Sequence, residues 1–124
     1  MSQRTVLYVE DNEYNRKIVR QLLSRTSYRL LEAADGEAAM ALVRQDRPDL
    51  VLMDVQLPRM SGLDVTRAMR AEPATADIPI IVVTSFALSG DDQRAMAAGA
   101  SGYLAKPYSP RDLLALIRKF LPES

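Results

Sequence analysis

Four consecutive apolar residues, Leu50-Val51-Leu52-Met53, run without interruption into Asp54 and then into a loop marked by Pro58 and Gly62. A strand with one wet face alternates apolar and polar side chains. A run with no polar side needs cover on both faces, which a strand obtains in a parallel sheet flanked by helices. A carboxylate at the end of such a strand falls in the crevice beyond the carboxyl ends of the strands, where open α/β sheets keep their ligands. Asp54 is therefore the first candidate for the reacting residue.

The remaining chain alternates strand and helix patterns at short spacing. Thr5-Val6-Leu7-Tyr8-Val9 reads as a strand that ends in the polar run Glu10-Asp11-Asn12, which can also cap a helix. From Glu13 to Ser24, Tyr14, Ile18 and Leu22 recur every fourth residue with Val19 and Leu23 beside them, the apolar stripe of an amphipathic helix. Tyr28-Arg29-Leu30-Leu31 reads as a short second strand. Asp35 is the N-cap of an Ala-rich helix to about Gln45, with Ala38, Ala39, Leu42 and Val43 buried.

After Asp54, Ser61-Gly62-Leu63-Asp64 carries the S-x-x-D signature of a helix start, followed by Leu63, Val65, Ala68 and Met69. Glu72 to Asp77 is a loop, and Pro79 to Thr84 a second buried strand with a polar end. Ser89-Gly90-Asp91-Asp92 repeats the capping signature before a weak helix, Ala95 to Ala98, that stops at Gly99. Gly102 to Lys106 is the last strand. Ser109 caps the last helix, with Pro110 at its first position and Leu113, Leu116, Ile117 and Phe120 as its core stripe. Five alternations predict a doubly wound α/β fold, a five-stranded parallel sheet with five helices and right-handed crossovers.

Composition excludes several kinds of chemistry. At 124 residues and 48% hydrophobic, the chain has room for one core and one domain, 1–124. Sixteen basic residues balance sixteen acidic ones, so no global field recruits nucleic acid or an anionic membrane. No cysteine excludes disulfides and thiolate chemistry, and no histidine removes imidazole as base, zinc ligand and phosphoryl carrier. No apolar run reaches membrane-spanning length and Met1 to Arg4 begins no signal peptide, so a soluble cytoplasmic protein is expected.

In a parallel sheet all strand ends meet at one rim, which gathers Glu10, Asp11, Asp54, Thr84 and Lys106. Three carboxylates in one low-dielectric crevice repel each other, and a cation resolves the repulsion. Hard oxygen donors without histidine or cysteine select Mg²⁺ or Mn²⁺. A carboxylate beside such an ion, faced by a lysine and a hydroxyl, can act as a nucleophile toward phosphorus.

These residues together resemble the receiver domain of two-component response regulators along nearly the whole chain. The resemblance rests on Glu10-Asp11, on Met53-Asp54 with Leu57-Pro58 and Ser61-Gly62, on Val83-Thr84-Ser85, and on Tyr103 with Lys106-Pro107. Val9-Glu10-Asp11-Asn12 with Asn15, and Thr84-Ser85-Phe86-Ala87, are similar to single-domain regulators of the DivK type and to receivers of hybrid histidine kinases. The resemblance implies the flavodoxin-like receiver fold with strand order 2-1-3-4-5. It implies that Asp54 accepts a phosphoryl group from a phosphohistidine on a histidine kinase or histidine phosphotransfer protein. Asp11 and Asp54 would ligate Mg²⁺ directly, Glu10 through water and Gln56 through its carbonyl. Lys106 would pair with the phosphoryl group, Thr84 would hydrogen-bond it and Tyr103 would change rotamer. A cis bond between Lys106 and Pro107 is implied as well.

Several further expectations follow. Phe86, two residues past Thr84, would shield the acyl phosphate and slow its hydrolysis. The chain would be no enzyme in the ordinary sense but a phosphoacceptor that catalyses its own phosphorylation and slow dephosphorylation. No output domain is expected, so the weak helix near Met96, Tyr103 and the last helix would contact a downstream protein effector, as monomer or weak dimer. Arg16, Val19, Pro107 and Tyr108 would form the docking surface for the phosphodonor. A phosphorylation-independent interaction module of the same fold is the alternative. A haloacid-dehalogenase-type phosphohydrolase is disfavoured because Gln56 stands where such enzymes carry an acid/base Asp. A flavodoxin is disfavoured because Glu10-Asp11 would repel its phosphate.

Overall fold

The computed structural model describes residues 3–84 and 91–123. Strands β1 (Thr5–Val9), β2 (Arg29–Ala33), β3 (Leu50–Asp54), β4 (Ile80–Thr84) and β5 (Gly102–Ala105) alternate with helices α1 (Glu13–Leu23), α2 (Gly36–Asp46), α3 (Gly62–Ala71), α4 (Asp91–Ala98) and α5 (Pro110–Phe120). The five strands pair in parallel in the order β2-β1-β3-β4-β5. This is the doubly wound sheet expected from the alternation, with the order implied by the resemblance.

Leu50, Val51, Leu52 and Met53 are fully buried, each stabilising the fold by about 1.5–3 kcal/mol relative to exposure. Successive side chains of a strand point to opposite faces of the sheet. On one face Leu7, Val9, Val51, Met53, Ile80 and Val82 pack against α2, α3 and α4; on the other Val6, Tyr8, Leu50, Leu52, Ile81 and Val83 pack against α1 and α5.

The helix starts form where the capping residues predict. Asp35 accepts from Ala38 N–H, Ser61 and Asp64 form a reciprocal capping box, and Ser109 accepts from Asp112 N–H. α4 ends at Gly99, whose φ of 108° lies in the left-handed region that favours glycine. Ser85, Phe86, Ser89 and Gly90 lie outside the described residues, and with them the shielding proposed for Phe86 and the cap proposed for Ser89.

Two local readings differ from the sequence pattern. The second strand runs Arg29–Ala33 rather than Tyr28 to Leu31, because Tyr28 is drawn into the α1–α5 core and its hydroxyl donates to Leu121 O at the end of α5. In α1 only Val19 and Leu23 are fully buried, while Tyr14 is 71% and Ile18 43% exposed. The apolar arc of α1 is wider than its buried seam, and the Tyr14 side of the arc faces outward.

Candidate functional site

The ends of β1, β3, β4 and β5 meet at one rim, and the alternation of side chains sorts what each contributes. Glu10 continues the row of Val6 and Tyr8, Asp54 the row of Leu50 and Leu52, and Lys106 the row of Leu104. All three therefore stand on the α1–α5 side. Thr84 continues the row of Ile80 and Val82, and Tyr103 packs on the α2–α4 side. Lys106 N–H donates to Thr84 O at 2.7 Å, which carries the β4–β5 ladder one residue past the strand and fixes the lysine at the rim.

Asp54 and Glu10 are only 3% and 1% exposed, whereas Asp11 faces solvent. One carboxylate oxygen from each of the three lies within 4.8 Å of the others. Lys106 Nζ donates to Glu10 Oε1 at 2.9 Å and stands 3.8 Å from Asp54 Oδ2. Oε1 of Glu10 also accepts from Asn15 Nδ2 at 3.2 Å and from the Tyr8 hydroxyl at 3.3 Å, while its Oε2 accepts from Asn12 N–H at 3.2 Å. Gln56 N–H reaches Asp54 Oδ1 at 3.4 Å. Glu10, Asp11, Asn12, Asp54, Gln56 and Lys106 line an open cavity of about 210 Å³.

The electrostatics follow from this crowding. Burial, and then the charge of Glu10, push the Asp54 carboxyl up to about 7 against the pull of Lys106. Burial also opposes ionisation of Glu10, but the bonds it accepts, that from Lys106 first, outweigh this and hold it below the usual carboxylate range. Lys106 loses hydration, yet Glu10 and Asp54 outweigh the loss and raise its pKa. Asp11 is raised by desolvation and by Glu10. Three acids thus share the positive charge of Lys106. An all-oxygen donor set with one acid open to solvent suits a hard divalent cation.

The backbone beneath Asp54 is shaped by Gly62. A Cβ at Gly62 would sit 1.9 Å from Asp54 O, and Gly62 N–H donates to Val55 O at 2.8 Å, so the start of α3 closes directly on the end of β3. The bond between Lys106 and Pro107 is cis.

The residues expected to dock a phosphodonor fall into two groups. Pro107 and Tyr108, with Ile18, Leu22 and Pro110, line a groove of about 220 Å³ between α1 and α5. Val19 is fully buried along the wall of that groove. Arg16 is 16% exposed and already engaged: it donates to Glu10 O at 2.7 Å and pairs with Glu13 and Glu32. Tyr8 is the site neighbour that the sequence reading passed over. Its signal was its spacing, since a tyrosine two residues before Glu10 lies on the same face of β1.

Residues 6–118 match the response regulator receiver domain. The chain belongs to that family. Among curated relatives, the polar-differentiation response regulator DivK of Brucella anthropi is 39% identical over 121 residues, covering 98% of both chains; DivK of Brucella ovis is 38% identical over the same length. Among solved structures, the chemotaxis response regulator CheY4 of Vibrio cholerae superposes with a TM-score of 0.90 at 32% identity, over 97% of this chain and all of that one. The receiver domain of a sensor histidine kinase from Pseudomonas aeruginosa, which has a magnesium ion coordinated in its active site cleft, superposes with a TM-score of 0.88 at 34% identity, over 96% of this chain and 98% of that one. This is a DivK-like receiver domain, a signalling unit of two-component systems. No helix among the described residues is long and apolar enough to cross a membrane.

Proposed function

We propose that this receiver, residues 1–124, is a phosphoryl-accepting switch in which Asp54 is the acceptor. The observation that carries the reading is the placement of a buried carboxylate at the end of β3, grouped within 4.8 Å with two more acids and 3.8 Å from Lys106 Nζ. One Asp54 carboxylate oxygen attacks phosphorus in line; the new P–O bond forms as the P–N bond of a partner's phosphohistidine breaks, and its electron pair stays on the imidazole nitrogen. Asp11 and Asp54 would hold Mg²⁺ or Mn²⁺ directly, Glu10 through water and Gln56 through its carbonyl. The bound ion would supply positive charge to the phosphoryl oxygens. Lys106 would leave Glu10 to pair with one of those oxygens.

Thr84 and Tyr103, on the opposite face of the sheet, would report the phosphoryl group to the α4 side for a downstream protein effector. The groove of Pro107, Tyr108 and Ile18 would receive the histidine kinase or phosphotransfer protein, with Val19 supporting its wall and Arg16 bracing the Glu10 backbone. The chain would work in the cytoplasm as monomer or weak dimer, without nucleic acid or membrane, catalysing its own phosphorylation and slow dephosphorylation rather than turning over a metabolite.

Intact mass after incubation with Mg²⁺ and acetyl phosphate tests the reading. Wild type should gain one base-labile phosphoryl group and Asp54→Asn none. If wild type gains none, with acetyl phosphate and with a phosphohistidine donor alike, the phosphorylation-independent interaction module is the better account.

A further inference from the structure

Four donors surround the Glu10 side chain, and three of them crowd one oxygen. Lys106 Nζ, Asn15 Nδ2 and the Tyr8 hydroxyl stand 2.9, 3.2 and 3.3 Å from Oε1. A carboxylate oxygen offers about two good lone-pair directions, and an O–H···O bond normally closes to about 2.7–2.8 Å. The Tyr8 bond is therefore slack while the lysine occupies the better position. Tyr8 itself is 1% exposed and packed into the α1–α5 core, with its hydroxyl lying between Glu10 Oε1 and the Tyr108 side chain. A phenol is protonated near neutral pH, so the hydroxyl is available as a donor.

We infer that Tyr8 is a positioning residue that takes over Glu10 Oε1 when Lys106 leaves for the phosphoryl group. This deepens the reading of Asp54 as phosphoryl acceptor and rests on it. When the ammonium leaves, a buried carboxylate would lose its strongest donor, and an unpaired buried charge is costly. With Tyr8 and Asn15 already within reach, the loss is offset by two bonds that can shorten into the vacated direction. Glu10 keeps its orientation through the transfer, and the lysine is released at lower cost. A residue without the hydroxyl at position 8 would leave Asn15, among the described residues, as the one remaining donor to Oε1 once Lys106 departs, beside the Asn12 N–H on Oε2. The hydroxyl therefore serves the rim, while the ring serves the core.

The test is a double-mutant cycle of Tyr8→Phe and Lys106→Ala, read as the rate of Asp54 phosphorylation by acetyl phosphate at saturating Mg²⁺. Thermal unfolding of each variant is measured alongside. Tyr8→Phe keeps the ring and should unfold within a few degrees of wild type, yet phosphorylate about tenfold more slowly, the scale of a hydrogen bond to a charged group. In the Lys106→Ala background there is no lysine to release, and the same substitution should cost less than about twofold. A role in packing alone predicts equal costs in the two backgrounds, and that result overturns the inference. So does a folded Tyr8→Phe that matches wild type, or a Tyr8→Leu variant that is slow when Tyr8→Phe is not. Absence of any adduct on wild type removes the acceptor reading and this role with it. A wild type that is labelled beside an unaffected Tyr8→Phe removes the Tyr8 role alone.

Discussion

Gly62→Ala probes how tightly the start of α3 is closed on Asp54. The added Cβ would lie 1.9 Å from Asp54 O, 2.8 Å from Asp54 C and 2.9 Å from Met53 Cγ. The Met53 side chain can give way, but the two Asp54 atoms belong to the backbone of a central strand. Ordinary contact requires the two segments to part by roughly 1.5 Å. That movement lengthens or breaks the 2.8 Å bond from Gly62 N–H to Val55 O and disturbs the capping box of Ser61 and Asp64. Overpacking of this kind costs about 1–3 kcal/mol and the cap about 1 kcal/mol more, so a loss of roughly 2–4 kcal/mol is expected. If Asp54 is the acceptor as proposed, a shift of about 1 Å in its position should also slow phosphorylation by on the order of a hundredfold. Urea unfolding gives the first quantity, and intact-mass kinetics with acetyl phosphate and Mg²⁺ the second. A Gly62→Ala protein with wild-type unfolding free energy and wild-type rate would refute the claim that this contact sets the position of Asp54.

Two other perturbations separate charge from packing. Asp54 is raised from its ordinary 3.8 to about 7 in the folded state, so the favourable contribution of its neutral form is lost as pH rises from about 4 through about 7. Metal-free Asp54→Asn should therefore be more stable than wild type at pH 8, by up to roughly 4 kcal/mol, with the difference shrinking toward pH 5 in urea titrations; a constant difference would contradict this. Arg70 lies at the opposite end of the strands, where it donates to Gly99 O, Ala76 O, Ile78 O and Ser101 Oγ. Arg70→Ala strands these acceptors and should cost about 2–4 kcal/mol in urea unfolding, while calorimetric Mg²⁺ affinity stays within about twofold of wild type.

What was legible in the sequence was governed by short-range rules. The capping residues Asp35, Ser61 and Ser109 act within one helical turn, so local pattern was enough to place α2, α3 and α5. The Leu50 to Met53 run declared a covered strand because burial on both faces tolerates no polar side chain. The convergence of Glu10, Asp11, Asp54 and Lys106 followed from parallel topology alone. Long-range routing was hidden. Tyr28 was read into β2 because tyrosine favours strands, but a bond to a carbonyl 93 residues away places it in the core instead. Periodicity located an apolar arc on α1 without revealing that Tyr14 lies on its outer side. The occupation of Arg16 by Glu10 O, Glu13 and Glu32 depends on three elements at once, and nothing in the spacing of Arg16 announces it.

The sorting of side chains at the rim has a consequence for how such a domain can diversify. Glu10, Asp54 and Lys106 belong to the α1–α5 side of the sheet, while Thr84 and Tyr103 belong to the α2–α4 side. The sheet is one backbone thick, so it acts as a partition, and the acids and Lys106 meet at the carboxyl ends of its strands. On the proposed reading, substitutions on the α4 side would retune which proteins listen without touching the carboxylates, and substitutions along the α1–α5 groove would retune who speaks without touching Tyr103. Donor choice and effector choice would then be separately editable, provided that the few atoms at the rim stay fixed.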